Sequence, residues 1–237
     1  MKWSKREMDW YNRALNNNYY PQNVIDFVVR KINKRKKIID IGSGIGTLVF
    51  PLTNIFEKVI AVDYSEKMLE YLYNKSIKNN IEDKIKLKIG DWNNIYFKDE
   101  LPIDSIITAY SGNEVLGNKD SIKKMERLVD EYIFLFVPGE RKKHSFSSDI
   151  LYERLGRKKR KHCCCYLNVE NILNDLEIDY KKKEFYYNFG QPFKNFEEAV
   201  KFFRFHYNLQ YSELNILQNF LKNFLKEKGD FLWIDNI

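Results

Sequence analysis

The hydrophobic positions of this chain form short apolar runs that alternate with segments of helical spacing. Apolar runs bounded by turn residues are typical of buried parallel strands, and apolar residues spaced by three and four are typical of amphipathic helices. The runs lie at 38–41, 59–62, 85–89, 103–109 and 132–137. Helical spacing occupies 65–79 and 119–130 between them. This alternation predicts an α/β fold, in which helices cover the faces of a mostly parallel sheet.

Further elements are predicted on both sides of this region. The N-terminal residues have the pattern of two helices that separate near Tyr19 and Tyr20. Beyond the fifth run, the pattern predicts a helix at 168–176, a sixth strand at 177–189, helices within 194–228 and a last strand at 231–235. If 177–181 and 184–189 instead form a hairpin, the later helices become an appendage rather than an insertion before the last strand.

A glycine-rich turn follows the first predicted strand. Asp40, Gly42, Gly44 and Gly46 stand at alternate positions along it. Glycines at this spacing allow positive φ angles, and they let the backbone approach a ligand with no Cβ atom in the way. The start of the following helix offers unpaired N–H groups. The turn is therefore the first predicted ligand site.

Acidic residues end the second strand and follow the third. Asp63 closes the second strand, where nucleotide-binding α/β folds place a carboxylate on the ribose hydroxyls. Gly90, Asp91 and Trp92 follow the third strand. Because the carboxyl ends of parallel strands meet at one edge of a sheet, Asp91 and the flat ring of Trp92 are expected beside the same crevice, where an adenine could stack.

Together these motifs resemble the class I S-adenosylmethionine-dependent methyltransferases, over roughly residues 36–138. The resemblance implies a methionine moiety over Gly42 and Gly44, a ribose held by Asp63, and an adenine at Asp91 and Trp92. The full set of cofactor-binding residues that it implies is Asp40, Gly42, Ser43, Gly44, Gly46, Asp63, Tyr64, Met68, Gly90, Asp91 and Trp92. A dehydrogenase is the nearest competitor, but its third glycine position is Thr47 here.

The resemblance also implies the fold class, a doubly wound and mostly parallel seven-stranded Rossmann-like sheet. The chain is expected to be a single methyltransferase domain with N-terminal lid helices and a helical insertion near the C-terminus. The expected parts are 1–32 as the N-terminal helices or lid, 36–192 as the core, 193–230 as the helical insertion or appendage, and 231–236 as the last strand. The alternative for the first helix is permanent packing against the domain.

Polar and aromatic residues after the fourth and fifth strands are the candidates for binding the methyl acceptor. The predicted substrate residues are Tyr19, Tyr20, Tyr110, Ser111, Asn113 and Arg141. His144 and Glu114 are the candidate catalytic bases, because an oxygen acceptor must lose a proton, whereas sulfur or a tertiary amine needs no base. Structural alternatives remain for both stretches: a turn at 110–114 and a solvated basic loop at 141–144.

Motifs and composition only partly restrict the class of methyl acceptor. The motifs of enzymes that methylate adenine or glutamine nitrogens or cytosine carbon are absent, so a small-molecule acceptor is the first expectation. The net charge of +7 and the basic run 157–161 keep an RNA methyltransferase as the alternative, although an excess of lysine also fits solvated surface. A non-catalytic S-adenosylmethionine-binding protein fits the same motifs.

The remaining features carry no further chemistry. Cys163, Cys164 and Cys165 stand beside His162, but adjacent cysteines lack the spacing of metal ligands, so no metal is expected. A reactive thiol remains the other alternative to buried small side chains. The sequence shows neither an apolar run near 20 residues nor a signal-peptide core, so we expect a cytoplasmic protein without a membrane partner.

Overall fold

The computed structural model describes residues 4–139, 148–158, 166–186 and 189–235 of the chain. These residues fall into two compact units. Within the described residues, the first unit comprises 21–139 and 166–185, and the second comprises 4–20, 148–158, 186 and 189–235.

The helices and strands are numbered in chain order across both units. The helices are α1 (Lys5–Asn16), α2 (Gln22–Val29), α3 (Val49–Leu52), α4 (Glu66–Lys78), α5 (Asn113–Leu116), α6 (Lys119–Leu128), α7 (Ser148–Arg154), α8 (Tyr166–Asp175), α9 (Phe196–His206) and α10 (Leu214–Lys222). The strands are β1 (Lys37–Ile41), β2 (Lys58–Asp63), β3 (Ile85–Ile89), β4 (Ile103–Ala109), β5 (Val129–Phe136), β6 (Gln191–Phe193), β7 (Lys226–Lys228) and β8 (Phe231–Ile234).

A five-stranded parallel sheet forms the centre of the first unit, with strand order β3-β2-β1-β4-β5. Its middle strand β1 pairs Ile39 with Ile60 on one side and with Ile106 on the other. These three side chains are buried, as expected for β-branched residues in a sheet covered on both faces. The predicted α/β architecture is confirmed. The order of the strands reverses direction beside β1, and α/β folds bind ligands at such a point.

The predicted sixth strand at 177–189 is wrong for the residues that the structure describes. Residues 177–186 belong to no strand. Residues 181–184 are all charged and exposed, so this segment has no continuous apolar face to bury against a sheet. Ile178 and Phe185 contact the core of the first unit there, and the ring of Phe185 lies 6.0 Å from that of Phe136. The alternation of the sequence therefore corresponds to an irregular segment with these two apolar contacts.

The last predicted strand forms, but it belongs to a different sheet. β8 pairs antiparallel with β6 and with β7 in a three-stranded sheet of the second unit. The predicted seven-stranded parallel sheet is thus replaced, among the described residues, by a sheet of five strands and a separate sheet of three. β6 and β7 have three residues each, too short for a hydrophobic period to indicate them.

The second unit has its own core, to which α1 contributes. Trp10 is 2% exposed, and its ring lies edge-on to Phe202 of α9 at 5.2 Å. Phe193 and Phe203 complete this aromatic group, and both are fully buried. α1 is therefore an integral part of the second unit, and the lid function proposed for it stays a prediction.

A charged cluster ties α1 to the start of α9 within this unit. Arg13 donates two hydrogen bonds to Glu198, of 2.5 and 2.9 Å, and the indole N–H of Trp10 donates to the same carboxylate at 3.2 Å. The backbone N–H of Lys194 donates to it as well. Burial raises the pKa of Glu198, but Arg13 and these N–H groups outweigh that effect, so the pKa lies below its ordinary value. The forked guanidinium geometry makes this a charge-assisted bidentate pair.

We expect Arg13→Met to destabilise the second unit by about 1–3 kcal/mol, because Glu198 would keep its negative charge in a partly buried place without a cation. The midpoint of urea unfolding, followed by circular dichroism, measures the effect. Lys201→Met is the matched control, because Lys201 forms a solvent-exposed ion pair with Glu197. The Lys201 side chain is 58% exposed and the Glu197 side chain 76% exposed. Equal midpoints for the two variants would contradict the importance of the Arg13 pair.

Candidate active site

Four loops at the carboxyl ends of β1, β2, β3 and β4 define the candidate active site of the first unit. They carry the glycine turn, the residues after Asp63, the segment beginning at Gly90, and the turn at Tyr110. The parallel order of these strands places all four loops at the same edge of the sheet. Backbone hydrogen bonds connect neighbouring loops, including Gly90 N–H to the Asp63 carbonyl at 3.0 Å.

The glycine turn adopts the positive φ angles that its spacing predicted. Gly42, Gly44 and Gly46 have φ values of +75°, +53° and +89°. The N–H groups of this turn are used within the protein: Gly42 and Ser43 donate to the Val62 carbonyl, and Gly46 donates to Ser43. The unpaired N–H groups expected from the sequence are those at the start of the following helix, and they stay a prediction. What the turn offers instead is a side-chain-free surface at Gly42, which is exposed, and Gly44, which is half-buried.

The turn after β4 packs directly beneath the glycine turn. A Cβ atom at Gly42 would lie 2.5 Å from the Ser111 hydroxyl oxygen, so only glycine fits there without a shift. That hydroxyl donates to the Ile41 carbonyl at 3.0 Å and lies 2.6 Å from the Thr108 hydroxyl. Ser111 was predicted as a substrate residue. The structure gives it a different place, as a group that holds the β1 and β4 ends together.

Asp63 is the carboxylate that joins the loops after β1 and β2. One of its oxygens accepts the Gly44 N–H at 2.9 Å, and the other accepts the Ser65 N–H at 2.8 Å. The side chain is nearly buried, at 8% exposure. Each carboxylate oxygen has two lone-pair sites, so one site on each oxygen remains for a ligand hydroxyl. The carboxylate is thus held rigidly where the sequence predicted a ribose contact.

Asp40 was predicted as a cofactor residue, but it is almost entirely buried, at 2% exposure. Burial is the main cause that raises the pKa of the Asp40 carboxyl from 3.8 to about 8. The negative charge of Asp63 also raises this pKa and is the second cause. Asp40 is therefore largely protonated at neutral pH and can donate a hydrogen bond. Its place in the structure is behind the glycine turn, as a neutral acid that spares the site a second buried charge.

The segment after β3 presents Asp91 at the surface of the site. Asp91 is exposed, and its Oδ1 accepts the backbone N–H of Asn93 at 2.9 Å and the side-chain N–H of Asn93 at 3.1 Å. The same Asn93 amide donates to the Glu114 carbonyl at 3.1 Å, which links the loops after β3 and β4. Asn93 was not among the predicted site residues, although short polar residues after an acid are a known turn signal.

Trp92 does not offer its ring to an adenine. It is 2% exposed, and its ring centroid lies 5.2 Å from that of Phe97 in the core of the first unit. Its place in the sequence could not reveal this, because the turn that begins at Trp92 directs the side chain inward. Tyr64 is the exposed aromatic residue after β2, at 67% exposure. Met68 also approaches the turn, with its sulfur 3.4 Å from where a Cβ of Gly44 would stand.

The predicted acceptor residues belong to both compact units. Tyr110 has a φ of +57°, unusual for a bulky residue, and this strained conformation follows directly after β4. Asn113 and Glu114 are exposed at the start of α5, and the Glu114 carboxylate lies against Gly112. Gly112 itself has an ordinary φ of −68°, so Tyr110 rather than Gly112 makes the bend.

Tyr19 and Tyr20 belong to the second unit. Tyr19 is 61% exposed, whereas Tyr20 is buried at 5% and contacts Phe189. A buried ring is not accessible to a substrate in this structure. Arg141 and His144, the predicted substrate cation and base, lie outside the described residues, as do the three adjacent cysteines.

No group of three or more His, Cys, Asp or Glu side chains in the described part of the chain is arranged to hold a metal ion. No helix in the same part of the chain is long and apolar enough to cross a membrane.

The carboxylate acceptors of the site fit the hydroxyl and amino groups of an adenosine. Asp63 has free lone pairs for neighbouring hydroxyls, and Asp91 is an exposed acceptor for an amino group. The glycine turn is accessible at Gly42, which is exposed, and at Gly44, which is half-buried. These observations concern the first unit alone.

Comparison with known proteins identifies the family. A family model described as "Methyltransferase domain" matches residues 32–229. The chain therefore belongs to this methyltransferase family. The class that its motifs indicated, the S-adenosylmethionine-dependent methyltransferases with a Rossmann-like fold, is confirmed. A search of curated proteins found no significant match.

Solved structures share the fold at low identity. Magnesium protoporphyrin IX methyltransferase from Synechocystis PCC 6803, with bound S-adenosylhomocysteine, has 18% identity and a TM-score of 0.54 over 79% of this chain and 85% of that chain. The same enzyme with bound S-adenosylmethionine has 20% identity and a TM-score of 0.50 over 70% and 73%. The CcbJ methyltransferase from Streptomyces caelestis has 21% identity and a TM-score of 0.38 over 44% of this chain, and the chain spans only 45% of that protein.

We expect the stability of Asp40→Asn relative to wild type to rise with pH. Below the ordinary carboxyl pKa of 3.8 both native and unfolded Asp40 are protonated, but between 3.8 and about 8 only the native state keeps the proton. Wild-type stability from this group is therefore fully present at low pH and is lost as pH rises through this window. Asparagine does not titrate, so the variant does not lose this stability as pH rises.

Urea unfolding at about pH 5 and about pH 8 measures the two free energies. The exposed residue Asp99 supplies the control variant Asp99→Asn, for which we expect the difference from wild type to be the same at both pH values. If Asp40→Asn and wild type change in parallel with pH, the protonated state of Asp40 is disproved.

Proposed function

We propose that the protein binds S-adenosylmethionine at the carboxyl ends of β1 to β4 and transfers its methyl group to a small-molecule acceptor. The observation that carries the proposal is the Asp63 carboxylate, which two backbone N–H groups fix beside a glycine turn with positive φ angles. A dehydrogenase motif would need glycine at Thr47.

Different residues of the first unit would bind different parts of the cofactor. Gly42, which is exposed, and Gly44, which is half-buried, would lie against the methionine part. Asp63 would accept from the two ribose hydroxyls, and Asp91 from the adenine amino group. Tyr64 replaces Trp92 as the aromatic residue for the adenine face, because its ring is exposed. Ser43, Gly46 and Gly90 serve the shape of the loops.

S-adenosylmethionine supplies a methyl group already activated by its sulfonium leaving group. The protein then needs mainly to align the acceptor and keep water away from it, effects that can supply most of the acceleration. Tyr110 is suited to this task, because it follows β4 directly at the carboxyl edge of the sheet and is 44% exposed. Glu114, which is exposed, is the described residue that could remove a proton from an oxygen acceptor.

A small molecule is the acceptor that we favour over RNA. The fold relative from Synechocystis carries the printed name of an enzyme for magnesium protoporphyrin IX, a small molecule. The predicted acceptor residues that the structure describes after β4 include an acid but no cation, whereas a phosphate backbone requires cations. The predicted cation Arg141 lies outside the described residues. The positive net charge of +7 keeps RNA as the alternative to be tested.

Asp63→Ala is expected to weaken binding of S-adenosylhomocysteine by about 1.5–3 kcal/mol, because the ribose hydroxyls lose a charged acceptor. In a thermal melt, ligand at a hundredfold its Kd should stabilise wild type by about 2.7 kcal/mol. For a domain of this size that corresponds to a rise of roughly 5–11 °C in Tm. NAD should give no rise.

Asp99→Ala is the control for removing an exposed acid from the same unit, and we expect it to keep the full shift. A wild-type protein that shows no shift with S-adenosylhomocysteine would refute cofactor binding at this site. A shift retained in Asp63→Ala would instead refute the placement of the ribose.

Acceptor class is tested with S-adenosylmethionine labelled in its methyl group. The protein is incubated with the small-molecule filtrate of a cell extract, and separately with the RNA and the protein of that extract. We expect label to enter the filtrate fraction, and to do so more slowly with Tyr110→Ala than with Tyr96→Ala, which alters an 88% exposed tyrosine elsewhere in the unit. Label in RNA would establish the alternative acceptor, and binding without transfer to any fraction would indicate a non-catalytic protein.

A further inference from the structure

Lys124 of α6 reaches into the loop that carries Asp91. Its ammonium group donates to the carbonyl oxygen of Ile95 at 2.6 Å and to the carbonyl oxygen of Trp92. Both carbonyls belong to the segment immediately after Asp91, so one side chain from a helix fixes two points of this loop. The contacts lie wholly within the first unit.

The same ammonium group lies over two aromatic rings. Its nitrogen is 4.5 Å from the centroid of Trp92 and 5.5 Å from that of Phe97. Cation–π attraction in a partly desolvated place adds to the hydrogen bonds. Burial lowers the pKa of Lys124, while the negative charge of Asp91 acts in the opposite direction. The buried ring of Trp92 is not available for adenine stacking. It instead packs against the Lys124 ammonium group.

The fixed loop determines where the Asp91 carboxylate stands. A short 3₁₀ turn, Trp92–Asn94, begins directly after Asp91, and the Asp91 side chain caps it through the backbone N–H of Asn93. Because the cap joins the carboxylate to the turn, and Lys124 joins the turn to α6, the position of the carboxylate depends on Lys124. Lys124 donates no hydrogen bond to Asp91 in this structure; it acts on Asp91 through the turn.

We propose that Lys124 is a positioning residue that gives the site its selectivity for adenine over other purines. The proposal rests on the proposed function, in which Asp91 accepts a hydrogen bond from the adenine amino group. A hypoxanthine ring has a carbonyl oxygen in place of that amino group, and this oxygen would meet the carboxylate oxygen with no proton between them. Such a mismatch is costly only where the carboxylate cannot move away. Lys124 removes that freedom.

The test compares binding of S-adenosylhomocysteine and S-inosylhomocysteine. Their purines differ at C6, which carries an amino group in one and a carbonyl oxygen in the other, and at the adjacent N1, which carries a proton only in the inosyl ligand. Calorimetry gives the ratio of their Kd values for wild type, Lys124→Met and Lys123→Met. Methionine keeps the apolar stem of lysine but donates no hydrogen bonds. Lys123 is one position earlier on α6, so its side chain leaves the helix about 100° away around the axis.

We expect wild type and Lys123→Met to prefer the adenosyl ligand by at least about tenfold, as the loss of one well-placed hydrogen bond predicts. Lys124→Met should lose most of this preference, chiefly because it binds the inosyl ligand relatively better. General damage to the site would weaken both ligands equally and leave the ratio unchanged. An unchanged ratio in Lys124→Met therefore overturns the proposal.

Two further outcomes separate this proposal from the function on which it rests. If wild type binds neither ligand, the proposed function fails. If wild type binds both ligands equally, cofactor binding stands but the adenine contact of Asp91, and with it the role of Lys124, is refuted. If Lys124→Met proves unfolded by circular dichroism, Lys124→Leu, which likewise donates no hydrogen bond, is measured against the same threshold.

Discussion

The hydrogen bonds from the backbone to the Asp63 carboxylate are the interaction on which the site depends. They join the end of β2 to the glycine turn after β1, with Gly44 on one oxygen and Ser65 on the other. A nearly buried charge is tolerable only when donors surround it, and here the donors come from the two loops that must also meet a cofactor. The carboxylate therefore organises the loops and remains available to a ligand with its unused lone pairs.

The charge state of Asp40 follows from this arrangement. A second carboxylate buried near Asp63 would add like-charge repulsion to the cost of desolvation, so the protein keeps Asp40 protonated, with a pKa raised to about 8. Two acids of the motif thus have different roles, one charged and one neutral. On the other side of the site, Ser111 and Thr108 use hydroxyl groups instead of charges to join β4 to β1.

Loops in this protein are positioned by long-range contacts rather than by their own sequence. The Lys124 side chain fixes the loop after β3 from a helix about 30 residues further along the chain. In the second unit, Arg13 and Glu198 join segments that are 185 residues apart. In both cases a cation with several donors binds carbonyl or carboxylate oxygens of a segment that is distant in the chain.

The sequence by itself determined the five parallel strands, the positive φ angles of the glycine turn and the position of Asp63, because strand burial and backbone freedom are set by local residue types. Only the tertiary structure decided that Trp92 turns inward, that Ser111 supports the glycine turn, and that 177–186 form no strand. The direction of a side chain at the end of a strand, and the pairing of a segment, depend on which surface is free to receive them. That surface is assembled from residues far apart in the chain, so no local pattern records it.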